Sequence, residues 1–126
     1  MGLFHPKGIY IYKLKYHKSL ASRWDQFPRS QQILAIASEL QRARNFLVKK
    51  DYEETKNAYE NAYERAFELL DLTISLDHTY FERYELLRFR EMLGHAYLNE
   101  SNNTELVGKL FDVLISLNKD SFNALH

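Results

Sequence analysis

Between residues 90 and 97 the chain reads Arg-Glu-Met-Leu-Gly-His-Ala-Tyr, and these are the residues best suited to phosphate chemistry. Arg90 carries a permanently charged, fork-shaped donor that matches a phosphodiester. His95 carries an imidazole, the side chain best suited to moving a proton at neutral pH. Glu91 lies one helical turn before His95, a spacing at which a carboxylate reaches an imidazole and favours its charged form. Tyr97 follows Arg90 by seven residues and stands nearly in line with it on a helix. Arg90 and His95 are five residues apart, or about 140° around a regular helix. They make one site only if the helix breaks near Gly94, where the missing Cβ bares the backbone, or if a second subunit completes the cleft. Such a site would need no metal.

Other chemistry is thinly represented. The chain has no cysteine, which removes thiolate ligands, disulfides and cysteine nucleophiles. His5, His17, His78 and His126 lack the spacing of metal ligands, so no metal site is expected. No glycine-rich phosphate loop is present, so P-loop or Rossmann chemistry is not expected, nor is a cofactor. Near the N-terminus Tyr10, Tyr12 and Tyr16 interleave with Lys13, Lys15 and Lys18. Aromatics and cations in that pattern could stack on bases and touch phosphates, which makes the three lysines candidate RNA contacts. Alternatively, the segment packs its aromatics on its own domain and leaves its lysines in water.

The elements that must carry these residues are helical. With 126 residues, 45% hydrophobic and 27% charged, the chain suits one domain with one core. No run approaches a membrane span, and a cytoplasmic location is expected. Net charge is zero, yet residues 1–50 hold ten Lys/Arg against two Asp/Glu, and residues 51–126 hold seven against fifteen. The two halves are therefore expected to attract each other, within a chain or across a dimer; a basic nucleic-acid arm is the other reading.

Residues 1–27, with their strand-like alternation, read as an extended basic and aromatic arm, and residues 28–126 as an all-α, four-helix up-and-down bundle. A first long helix starts near Pro28–Ser30, with Ser30 as cap and Ile33, Ile36, Ala37, Leu40, Ala43 and Leu47 on its core face. A second opens on the Asp51/Glu54 capping pair and runs to about Ser75. It carries two apolar stripes, one small (Thr55, Ala58, Ala62, Ala66, Leu69, Thr73) and one bulky (Tyr59, Tyr63, Phe67, Leu70, Ile74), and so is expected at the centre. Glu60, Glu64, Glu68 and Asp71 are left for solvent or a basic partner. A third opens on the capping box Thr79–Glu82 and buries Leu86, Phe89, Leu93 and Ala96. A fourth follows the polar turn 99–103 and buries Leu106, Leu110, Val113, Leu114 and Leu117. Residues 120–126 add a last turn or fray.

The hairpin Ala43–Ala62 also looks like a tetratricopeptide unit. Leu93-Gly-x-x-Tyr97 looks like a second unit, but the two are 51 residues apart, where that repeat has a period of about 34, and the second helix is too long. An interaction module with tetratricopeptide-like hairpins is the non-catalytic reading of the chain.

Arg90-x4-His95-x-Tyr97 follows a hairpin whose pattern runs Ala43, Phe46-Leu47, Asp51-Tyr52, Thr55, Ala58-Tyr59, Ala62. Together these resemble the HEPN domain (higher eukaryotes and prokaryotes nucleotide-binding) over about residues 30–118. The resemblance implies a small helical bundle that forms a homodimer with its Arg/His motifs facing each other. It also implies metal-independent endoribonuclease activity or nucleotide or RNA binding, often as a toxin beside a nucleotidyltransferase antitoxin. By similarity Arg90 would bind the scissile phosphate and His95 would be the catalytic acid/base. Tyr97 would match the tyrosine that some antitoxins modify with AMP. Glu91 departs from the pattern, because the family usually places a small polar residue after the arginine. A glutamate there would either orient His95 or repel RNA.

Overall fold

A computed structural model describes residues 14–48, 52–98 and 104–126, for residues 52–56 the backbone alone. These residues form six α-helices and one 3-10 turn, with no strand among them. A short helix α1 (Lys18–Ala21) and the 3-10 turn Trp24–Gln26 lead into four longer helices: α2 (Arg29–Val48), α3 (Tyr52–Ile74), α4 (Tyr80–Leu98) and α5 (Thr104–Ser116). The chain ends in α6 (Lys119–Leu125). Among the described residues no helix is long and apolar enough to cross a membrane.

The helical periodicity explains the core. Ile33, Ile36, Ala37, Leu40 and Ala43 of α2 are buried, as are Leu86, Phe89, Leu93 and Ala96 of α4. Each set repeats at three- and four-residue steps, which places it on one helix face. The longest contact is α2 along α3; α5 packs on the other side of α2, and α4 rests on α3 and α5. Helix α2 also meets α6, so it shares the centre with α3, which touches α2, α4 and the 3-10 turn. The bulky stripe of α3 meets α4: the Tyr63 and Phe67 rings lie 5.1 and 6.0 Å from Tyr97.

Two helix starts differ from expectation. In α2 the Pro28 carbonyl accepts the Gln32 N–H, so Ser30 already lies inside the first turn and does not cap. In α4 the Thr79 hydroxyl accepts the Glu82 N–H as expected, but the Glu82 carboxylate turns to His78 instead of closing the box. The Asp51/Glu54 pair lies outside the described side chains. In α5, Val107 and Ile115 are buried with Leu110 and Leu114, while Val113 is 37% exposed. Val113 precedes Leu114 by one residue and so points about 100° away from it.

The N-terminal arm is described only from Leu14, and residues 14–27 are not extended. They hold α1 and the 3-10 turn and lie on α3, with Leu14, Ala21 and Trp24 buried. Glu68 of α3 holds the entry to α1. Its carboxylate accepts the backbone N–H groups of Lys15 (2.7 Å), Tyr16 and His17, and faces the His17 Nδ1 at 3.1 Å. The Trp24 indole N–H donates to Thr73 Oγ1 at 2.9 Å, and that hydroxyl donates to the Leu69 carbonyl. These buried polar atoms are thus satisfied, which makes the burial of Trp24 possible. The basic and acidic halves attract within one chain: Lys15 reaches Glu64, and Arg29 reaches Glu82.

Candidate functional site

Helix α4 positions every residue of the Arg90–Tyr97 motif, and it is continuous through Gly94 to Leu98. Its buried face fixes its rotation, so Arg90 and Tyr97 fall on the side toward α3 while Glu91 and His95 point to solvent. Tyr97 turns inward and is half-buried against Tyr63 and Phe67. That environment raises its hydroxyl pKa above the usual tyrosine value, chiefly by desolvation, with Glu60 and Glu64 adding to it.

Arg90 sits on the shoulder of α4 that faces α3. Its Nε and Nη2 donate to the two carboxylate oxygens of Asp71 at 2.5 and 3.2 Å. The guanidinium also lies over the Phe67 ring, 5.5 Å from its centroid. The hydrogen bond to Asp71 raises the Arg90 pKa further above its ordinary value, against a smaller opposing effect of burial.

His95 lies on the opposite shoulder, with 80% of its side chain exposed, and its Nε2 is 4.0 Å from Glu91. Within one chain, therefore, Arg90 and His95 are not brought together. The unbroken helix keeps the rotation of about 140° that their spacing dictates. Glu91 approaches His95 as the spacing suggests, but both are in water, where such a pair holds little energy.

Of the candidate RNA contacts, Lys13 lies outside the described residues. Lys18 is exposed in α1. Lys15 is 3.6 Å from Glu64 and lies over the Tyr16 ring. Tyr16 itself packs on its own domain, its hydroxyl between Asn61 Oδ1 and Glu64 Oε2 at 3.0 and 2.8 Å.

Two further features extend beyond the Arg90–Tyr97 motif residues and the lysines. The first is the outward face of α4. Tyr80, Tyr84, Leu87 and Leu98 are exposed by 89, 51, 48 and 78%. With Glu91 and Gly94 they occupy positions 80, 84, 87, 91, 94 and 98, a regular alternation of four- and three-residue steps. That spacing forms a straight seam opposite the buried face. The spacing is present in the sequence, but which helix face is left uncovered depends on how α4 packs.

The second is a cleft of about 650 Å³ at the end of the bundle, lined by Arg29, Ile33, Phe81, Leu86, Leu117 and Lys119 among others. His78 stands at its wall, its Nε2 on the Thr73 carbonyl and its Nδ1 3.1 Å from Glu82. Arg29 bonds Gln32 and the Asp77 carbonyl. Burial lowers the Arg29 pKa from its ordinary value, and Glu82 opposes that shift. The polar groups on this wall hold one another, and they fasten the start of α2 to the start of α4.

Comparison with protein-family models, with curated proteins and with solved structures gives no match for this chain.

Proposed function

We propose that the chain is a helical interaction module, a four-helix up-and-down bundle with an added N-terminal segment, that works through the outer face of α4. The observation that carries this reading is the exposed seam of Tyr80, Tyr84, Leu87 and Leu98. Apolar groups aligned along one helix face mark a surface that another element covers, and aromatic residues are enriched in the cores of such contacts. Hydroxyl-radical footprinting tests the reading. Tyr80, Tyr84, Leu87 and Leu98 label readily in the dilute pure chain and are shielded in extract of the cells that make it. Equal labelling of the seam in both conditions contradicts the proposal.

A second reading keeps the HEPN resemblance. The chain would then be a cytoplasmic, homodimeric, metal-independent endoribonuclease, with Arg90 on the scissile phosphate, His95 as acid/base and Lys13, Lys15 and Lys18 along the RNA. Tyr97 would be the target of a nucleotidyltransferase antitoxin. One observation favours it: Arg90 is held in a fixed orientation by Asp71 and Phe67, while His95 stands open to substrate on the same helix. RNA cleavage in EDTA that disappears in His95→Ala supports this reading. Cleavage unchanged in that variant removes it.

A further inference from the structure

We infer that the occupant of the α4 seam is a second copy of this chain, its α4 running antiparallel about a two-fold axis at the level of Phe89. The inference rests on the reading of α4 as the working surface. Three observations lead to it.

The seam is a palindrome: its steps are four, three, four, three, four. An antiparallel copy therefore sets every seam position against another. Tyr80 meets Leu98 of the second copy, Tyr84 meets its Gly94, and Leu87 meets its Glu91.

Gly94 is then explained. A Cβ built there would meet nothing within 4 Å among the described residues. Glycine inside a helix costs about 1 kcal/mol relative to alanine, and no neighbour among the described residues accounts for that cost. In the antiparallel register the ring of the second copy's Tyr84 lies over the bare backbone, a large group against the smallest.

Charge selects the direction. Glu91 is the one carboxylate in the seam, and exposed Arg88 beside it has no ion-pair partner among the described residues. In the antiparallel register Glu91 falls within one residue, about 1.5 Å along the axis, of the second copy's Arg88, and symmetry makes two such pairs. A parallel copy sets Glu91 against Glu91. The register also places the two His95 residues twelve positions apart, about 18 Å along the helix pair, so the pairing does not bring the two imidazoles together.

The chain has no cysteine, which makes the register directly measurable. Tyr80→Cys and Leu98→Cys alter exposed side chains. Mixed and oxidised, the two variants give a disulfide-linked dimer on a non-reducing gel, while either one alone gives almost none. Cross-linking of either variant with itself instead of with the other overturns the antiparallel register. If the mixture fails to cross-link while Leu87→Glu still abolishes association, the register is wrong and α4 remains the surface. A wild-type chain that stays monomeric at every concentration, with its seam shielded in extract, overturns self-pairing and leaves the interaction reading. Monomer and unshielded seam together overturn both.

Discussion

Arg90 and Asp71 form a two-point pair across the α3–α4 contact, both carboxylate oxygens accepting from one guanidinium. The pair fixes where Arg90 points: toward α3, away from His95. Both groups remain partly in water, so the pair orients more than it stabilises. A double-mutant cycle with Arg90→Ala and Asp71→Ala should give a coupling energy of about 0.5–1 kcal/mol. It should shrink as salt is added, measured by urea unfolding at two ionic strengths.

Glu68 should matter more, because it alone receives the backbone donors that begin α1. Glu68→Ala leaves those N–H groups without their acceptor and should cost about 1–3 kcal/mol. Glu68→Gln keeps one oxygen and should recover part of the loss. Amide hydrogen exchange at residues 15–17 is the direct readout: it should accelerate in Glu68→Ala before any other part of the chain changes.

Alkaline pH should loosen the bundle. Burial raises the Tyr63 pKa, with a smaller opposing effect from Tyr59, and burial raises that of Tyr97 as well. A tyrosine whose pKa is higher folded than unfolded holds its proton longer in the native state. Its stabilisation is complete below the unfolded value near pH 10 and is lost as pH rises through the folded value. Chemical denaturation across pH 8–11.5 should show stability falling above about pH 10, with a shallower fall in Tyr63→Phe. An equal slope in that variant would assign the loss to other groups.

Gly94→Ala tests the open space at that position. With nothing among the described residues within 4 Å of the added methyl, the isolated chain should gain about 0.5–1 kcal/mol from helix propensity alone. Thermal unfolding at a dilution where the chain is monomeric measures it.

Much of the fold could be read from the sequence because burial follows helical spacing directly. Leu86, Phe89, Leu93 and Ala96 all lie where their steps place them, and Thr79 caps where its type suggests. Residues 14–27 were harder. Alternating Tyr and Lys resemble a strand, but the backbone of Lys15–His17 answers to a glutamate some fifty residues later, and Trp24 to Thr73. Such contacts override local pattern and leave no local trace. The candidate site was legible in part. The spacing of Arg90 and His95 already gave their separation around the helix. That Asp71 would claim Arg90 followed only once α3 and α4 were packed together. The α4 seam was legible throughout, but its exposure depends on the opposite face of α4 packing on α3 and α5.

The most direct measurement of the central claim is the mass of the chain by sedimentation equilibrium over a wide range of concentration, with Leu87→Glu alongside. The wild type should rise from the monomer mass of 15.0 kDa toward twice that value. Leu87→Glu, with unchanged helix content, should remain monomeric throughout. A wild type that stays monomeric at the highest concentrations, or a Leu87→Glu variant that associates as the wild type does, would contradict α4 as the surface through which this protein pairs with itself.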